Sequence, residues 1–375
     1  MDFEPSDDQR LLLESVSRLL ADNYSFAQRK TYLAQPEGYS TDMWSKFAEQ
    51  GLLGLTIPET HGGYGGGAQE VMLVMQAFGR VLVLEPFLPT VVLGVTAIMA
   101  AGSDAQKQAL LPAIAEGRMK LAFAHGERQA RYDLTDVVTT AKQSDGKWVL
   151  DGSKVVVSHG EAADQLIVSA RTSGDRYDEA GITLFLVDAG AAGVARRGYM
   201  TRDETRAADV SLSNAAGQVV GEVGKGLEVI ERIVEAAIAA TAAETVGAME
   251  TMNEMTLEYS KTRVQFGQPI GTYQVVQHRM ADMFMAQEQG RSMAMLATMS
   301  LDNPDPVERR HDFALAKAGI GQAGRYVSQS AVQMHGGIGM TEEYAVGHYF
   351  RRCMVIERLF GDPAYYLQRL ANEIS

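Results

Sequence analysis

Two stretches of this chain combine residue types that could grip a ligand. The first is QMHGGIGM, Gln333–Met340, which places three glycines in four positions between strongly helical segments. A helix C-cap needs only one glycine. Three imply either close packing against something that tolerates no side chains, or a loop whose bare backbone N–H groups cup a ligand. The second is SKTRVQFGQPIG, where Arg263 ends a long helical stretch and Gly267, Pro269 and Gly271 make a turn. A terminal arginine suits the negative end of the helix dipole, and taken alone that reading suffices. A guanidinium can also hold a phosphate through two parallel hydrogen bonds.

Other residues offer less. The seven histidines show no metal-binding spacing, and His278, His335 and His348 read as surface or loop positions. The methionines of RMADMFMAQEQGRSMAMLATM recur at helical spacing and read as core or subunit interface. LDNPDPVERR reads as a loop and an N-cap. Cys353 is the only cysteine, so one chain forms no disulfide and no cysteine-based metal cluster, which suits a reducing cytoplasm.

Bulk properties bound the function. With 375 residues, 46% of them hydrophobic, the chain can fill two or three domains. A formal charge of -13 argues against nucleic-acid binding, which needs a basic face. The acidic start, MDFEPSDDQR, lacks the features of a signal peptide, and the apolar run TVVLGVTAIMAAG is too short for a bilayer. A cytoplasmic protein without membrane contact is expected.

The elements that must position these residues come in three blocks. Residues 1–118 read as helices, among them DDQRLLLESVSRLLADN, with Ser6 or Asp7 as N-cap, and TDMWSKFAEQGLLG. Residues 119–225 change rhythm to short β-rich runs, with SDGKWVLDG as a hairpin, and predict an all-β barrel or sandwich. Residues 226–375 return to long amphipathic helices joined by short loops, the pattern of a four-helix bundle.

Several motifs in this order resemble the acyl-CoA dehydrogenase family of flavoproteins over essentially the whole chain. RVQFGQPIGTYQ resembles the family's Arg-x-x-Phe-Gly signature and QMHGGIGM its Gln-x-x-Gly-Gly-x-Gly loop; IPETHGGYGG and DGSKVVVSHGEAADQLIVSAR fit its helical and β domains. The resemblance implies an α+β multidomain fold, with an N-terminal helical domain, a middle β domain and a C-terminal four-helix bundle. It also implies bound FAD and a dimer of dimers. Arg263, Phe266, Gln333 and Gly337 then approach the FAD pyrophosphate and adenine across a subunit interface, with Gly336 beside them as cradle and helix cap. On the β domain, Ser158 stands where the family has a threonine near flavin N5, and Val156 where it has a tryptophan. In GERQARYD the family's Glu and Asp persist as Glu127 and Asp133, whereas Gly126 and Tyr132 replace a threonine and a serine.

The family's reaction, α,β-dehydrogenation of an acyl-CoA thioester, needs a carboxylate base within reach of the α-proton. At one family position for the base this chain has Phe360, followed by Gly361; at the other it has Ala237. The remaining candidates are Glu244, on the same helical face as Ala237 but about 10 Å along the axis, and then Asp362. Glu244 lies in an apolar run, where a carboxylate must be paired or protonated. Glu357 and Glu342 read as solvated helix faces or caps. The ending GHYFRRCMVIERLFGD also resembles small subunits of heteromeric acyl-CoA dehydrogenases of the pimeloyl-CoA and steroid side-chain type. In those a related subunit supplies the base. Expected partners are acyl-CoA, an electron-transferring flavoprotein, and sister subunits in a homo- or heterotetramer. The expected function is acyl-CoA dehydrogenation, or else a base-lacking FAD-binding subunit; a flavin oxidase or monooxygenase on the same fold is a further alternative.

Overall fold

The computed structural model describes residues 5–374, the side chain of Ile374 excepted. Helices α1 (Asp7–Asn23), α2 (Phe26–Leu33), α3 (Thr41–Glu49), α4 (Ala68–Val81), α5 (Val95–Ala101) and α6 (Asp104–Ala115) come first. Strands β1 (Leu121–Ala124), β2 (Thr140–Ser144), β3 (Lys147–Ser158), β4 (Gln165–Arg171), β5 (Ile182–Asp188), β6 (Val194–Met200) and β7 (Arg206–Val220) follow. The C-terminal part holds α7 (Gly226–Thr262), the short strands β8 (Val264–Gln265) and β9 (Gln268–Pro269), α8 (Gln274–Ser300), α9 (Pro306–His335), α10 (Val346–Ile356) and α11 (Pro363–Ile374). Ser6 caps α1 in a full capping box with Gln9. No helix among the described residues is long and apolar enough to cross a membrane.

The chain packs as two compact units. One comprises the chain up to Thr31, Ala68–Val83 and Ile238 onward; the other comprises Tyr32–Gly67 and Leu84–Ala237. The helical N-terminal stretch therefore contributes to both, and α7 passes from one into the other.

In the first unit, α4 and α7 touch backbone to backbone. A Cβ on Gly79 would lie 2.0 Å from the Glu244 carbonyl oxygen, and one on Gly247 would lie 1.9 Å from that of Gln76. The core of this unit is filled by Met249, Met252, Met283, Ile320, Val327, Tyr349 and Cys353, from α7 to α10. The methionines of α8 divide: Met283 is buried while Met285 is exposed. The expected fourth long helix is shorter than its periodicity suggests, because the stretch before Val346 is turn rather than helix. Two expectations fail here. His335 and His348 are buried, not surface positions. His335 lies in a cluster of aromatic rings, and His348 has the Phe26 ring edge-on at 4.8 Å.

In the second unit the sheet closes on itself. The order β4-β2-β3-β7-β5 returns to β4, because β5 pairs with both β7 and β4. Closure pairs the central strands on both sides and leaves the short β1 and β6 as edges. β1 joins β4 in parallel, and β6 flanks β7. The β2–β3 hairpin turns at Asp145–Gly146, both with positive φ (51° and 74°), the geometry that favours Asp-Gly. Leu150, Val168, Phe185, Val187 and Val210 fill the interior.

Candidate active site

Arg263 follows the last turn of α7, its amide donating to the Tyr259 carbonyl at 2.8 Å. The β8–β9 hairpin then turns at Phe266 and Gly267, with φ of 53° and 85°. Both residues lie in the left-handed region, which the tight hairpin requires. The turn presents Phe266 at 93% exposure. The Arg263 side chain is exposed and forms no ion pair among the described residues. A free guanidinium and a bare aromatic ring thus stand together at the end of the bundle.

The glycine loop begins where α9 ends. Gly336, at φ 63° and ψ −141°, adopts a conformation essentially reserved for glycine. Its amide donates back to the Gln333 and Val332 carbonyls, closing the helix. Both suggested reasons for the glycines apply, at different positions. A Cβ on Gly339 would meet His335 Cβ and the Val332 carbonyl at 3.1 Å each, so this glycine serves packing. A Cβ on Gly336 or Gly337 would meet nothing within 4 Å. Their backbone faces open space, and the exposed Gln333 lies beside them. The two motifs share one end of the bundle. Tyr259, one turn before Arg263, stacks on His335 with ring centroids 4.5 Å apart, and its hydroxyl donates to the His335 carbonyl at 3.4 Å. Burial holds the His335 imidazole below its usual pKa, so this joint is neutral.

In the second unit, Ser158 is half-buried at the end of β3, opposite Ala207 of β7. Val156, two residues earlier, is 55% exposed with φ 53°. Glu127 is buried and takes no ligand-facing position. It accepts from Lys154 Nζ at 2.7 Å and from the amides of Val138 and Thr139 at 3.0 and 3.1 Å. Lys154 Nζ also donates to the His125 carbonyl and to Ser169 Oγ. Burial pushes Lys154 down to about 8, against the pull of Glu127. Burial raises the Glu127 carboxyl, but the Lys154 charge and the converging donors overcome it and hold it at about 2. Lys154 is the residue that sequence reasoning missed; a lysine inside the apolar run of β3 was its only signal. Asp133 is exposed and accepts from the amide and hydroxyl of Thr135, a local turn. The Glu127 pair stabilises the fold between the unfolded carboxyl pKa near 4.5 and about pH 8, where Lys154 gives up its proton. We expect that contribution to disappear as pH falls from about 4.5 to about 2, and the acid shoulder of a urea-denaturation pH series to vanish in Glu127→Gln.

The candidate bases are all engaged. Glu244 is buried and forked by Arg352, Nε to Oε1 at 2.6 Å and Nη2 to Oε2 at 2.8 Å. Asp362 is the N-cap of α11, Oδ1 accepting from the Tyr365 amide at 2.9 Å. Phe360 has φ 60°, its carbonyl accepting from the Tyr366 hydroxyl at 2.6 Å. Ala237 is fully buried. Glu342 is exposed and paired with Arg351 at 2.7 Å. Glu357, expected on a solvated helix face or cap, is instead buried at 2% exposure. Arg325 of α9 forks its carboxylate, and Lys317 donates to the Ile356 and Glu357 carbonyls at 2.6 and 3.3 Å, closing the end of α10.

Comparison with known proteins identifies the family. Models of the acyl-CoA dehydrogenase N-terminal, middle and C-terminal domains match residues 6–118, 122–215 and 224–374. The acyl-CoA dehydrogenase IpdE2 of Mycobacterium tuberculosis is 31% identical over 373 residues, covering 99% of this chain and 98% of that protein. Among solved structures, the steroid ACAD Tcur3481-Tcur3483 is 27% identical with a TM-score of 0.89, covering 98% of each chain. The ChsE4-ChsE5 complex of Mycobacterium tuberculosis is 26% identical with a TM-score of 0.88, covering 100% of this chain and 99% of that one. With its three domains matched in order and a relative aligned end to end, this chain belongs to the acyl-CoA dehydrogenase family of FAD-dependent oxidoreductases.

Proposed function

We propose that this chain is the FAD-holding subunit of an acyl-CoA dehydrogenase that takes its base from a related subunit. The observation that carries this is the state of the carboxylates. Glu244 and Glu357 are each forked by an arginine and Asp362 caps a helix; by the sequence resemblance, Phe360 and Ala237 stand where the family has its base. A carboxylate forked by a guanidinium has both oxygens committed to hydrogen bonds, and must break one before it can accept a proton from a weakly acidic C–H. The residues left open fit the cofactor instead. Across the interface between protomers, Arg263 would pair with the pyrophosphate, the Gly337 amide would donate to the AMP half beside the Gly336 cap, and Phe266 and Gln333 would close over it. Ser158 would donate its hydroxyl to the flavin ring. FAD, when bound, supplies the acceptor for the hydride leaving the acyl β-carbon. The protein's part is to orient the thioester, exclude water and place the partner's carboxylate at the α-proton.

The paired names of two solved relatives support a heteromeric assembly. A cytoplasmic tetramer of two chain types, passing electrons to an electron-transferring flavoprotein, completes the proposal; the buried, lone Cys353 fits a reducing compartment. The test is anaerobic titration with acyl-CoA. The chain alone is expected not to bleach its flavin, and co-expression with a base-bearing sister chain is expected to restore bleaching, a difference of at least about 10²–10⁴ in rate. Rapid bleaching by the isolated chain would overturn the proposal.

A further inference from the structure

Val156 sits in a β-bulge. Along β3 and β7 the pairing passes from Lys154↔Val210 to Val157↔Ala208, three steps on one strand against two on the other. The bulge amides leave the ladder and find other acceptors. Val155 N–H donates to the Gly126 carbonyl at 2.8 Å, and Val156 N–H donates to Asp209 Oδ1 at 3.4 Å. Val156 has φ 53°, a strained conformation for a β-branched residue that persists only where its surroundings impose it. Asp209 is well placed to impose it. Besides the Val156 amide, its carboxylate accepts from the Tyr199 hydroxyl at 3.2 Å and from Arg197 Nη2 at 3.1 Å, both on β6. Donors from β3 and β6 thus converge on one side chain of β7.

A bulge also decides which way later side chains point. Side chains alternate along a strand, so one inserted residue moves every following one to the opposite face. Ser158 lies two residues beyond Val156. We infer that Asp209 is a positioning residue: by holding the Val156 bulge, it sets the face on which the Ser158 hydroxyl stands. This rests on the reading of Ser158 as the flavin-facing hydroxyl.

The test uses the FAD-loaded protein in its native assembly and reads the flavin's visible absorption band and the FAD dissociation constant. Ser158→Ala is expected to move the band. Asp209→Ala is expected to move it in the same direction and to raise the dissociation constant about tenfold, the effect of one lost hydrogen bond. The double variant should show no more than the larger single shift. Asp209→Asn keeps an acceptor for the Val156 amide and should stay near wild type. A merely structural aspartate would lower the melting temperature without moving the band. Should Asp209→Ala fold poorly, Val156→Gly added to it restores the bulge, since glycine takes positive φ freely, and the band should return. A band moved by Ser158→Ala but not by Asp209→Ala overturns the positioning role. A band unmoved by either removes the reading of Ser158, and this inference with it.

Discussion

Replacing Gly337 by leucine is expected to leave the protomer as stable as before and to cost it its FAD. A Cβ on this glycine would meet no atom of the protomer within 4 Å. A surface substitution of that kind typically changes stability by no more than about 0.5 kcal/mol. The outcome differs if the space belongs to a ligand. A dinucleotide approaching within hydrogen-bonding distance of the Gly337 amide leaves no room for a branched side chain. The FAD dissociation constant should then rise on the order of 100-fold, equivalent to about 2.7 kcal/mol. Gly339→Leu is the matched control. Its Cβ would press on His335, Val332 and Val346 at 3.1–3.3 Å, so it should lower the melting temperature with or without flavin. Measuring flavin stoichiometry, melting temperature and oligomer mass for both variants separates a cofactor cradle from a packing loop. Full flavin occupancy in Gly337→Leu would remove the loop from the cofactor site.

The contrast between those two glycines marks the limit of what the residues alone disclose. Helical periodicity gave the long helices, and the Asp-Gly turn gave the β2–β3 hairpin, because those patterns are local. The motif carrying Arg263 and Phe266 was equally legible, since its turn chemistry lies within a few residues. What could not be read depends on partners distant in the chain. Arg325 and Glu357 are 32 residues apart, Lys154 and Glu127 are 27 apart, and Glu244 and Arg352 are 108 apart. Charge patterning therefore suggested a solvated Glu357, although α9 buries it. His335 and His348 misled in the same way, their aromatic neighbours being supplied by the fold. The bulge at Val156 was invisible because no glycine marks it; the positive φ is imposed by tertiary contacts.

Glu244 offers the other large effect, and the fork from Arg352 sets its direction. The two side chains are 5% and 12% exposed, so removing one partner leaves a buried charge uncompensated. Glu244→Ala is expected to lower unfolding free energy by about 3–5 kcal/mol, measured by urea denaturation. Replacing both residues by leucine should recover most of that loss, because the buried charges disappear together. The same pairing predicts that Glu244→Gln, assayed below its melting transition in the reconstituted complex, reduces flavin at close to the wild-type rate. Stability and chemistry are thereby uncoupled: a structural carboxylate moves the denaturation midpoint, whereas a base moves the rate. If Glu244→Gln keeps its midpoint and loses flavin reduction by a factor of about 10² or more, the fork opens during catalysis. Glu244 would then be the base after all, and this chain would need no sister to supply one.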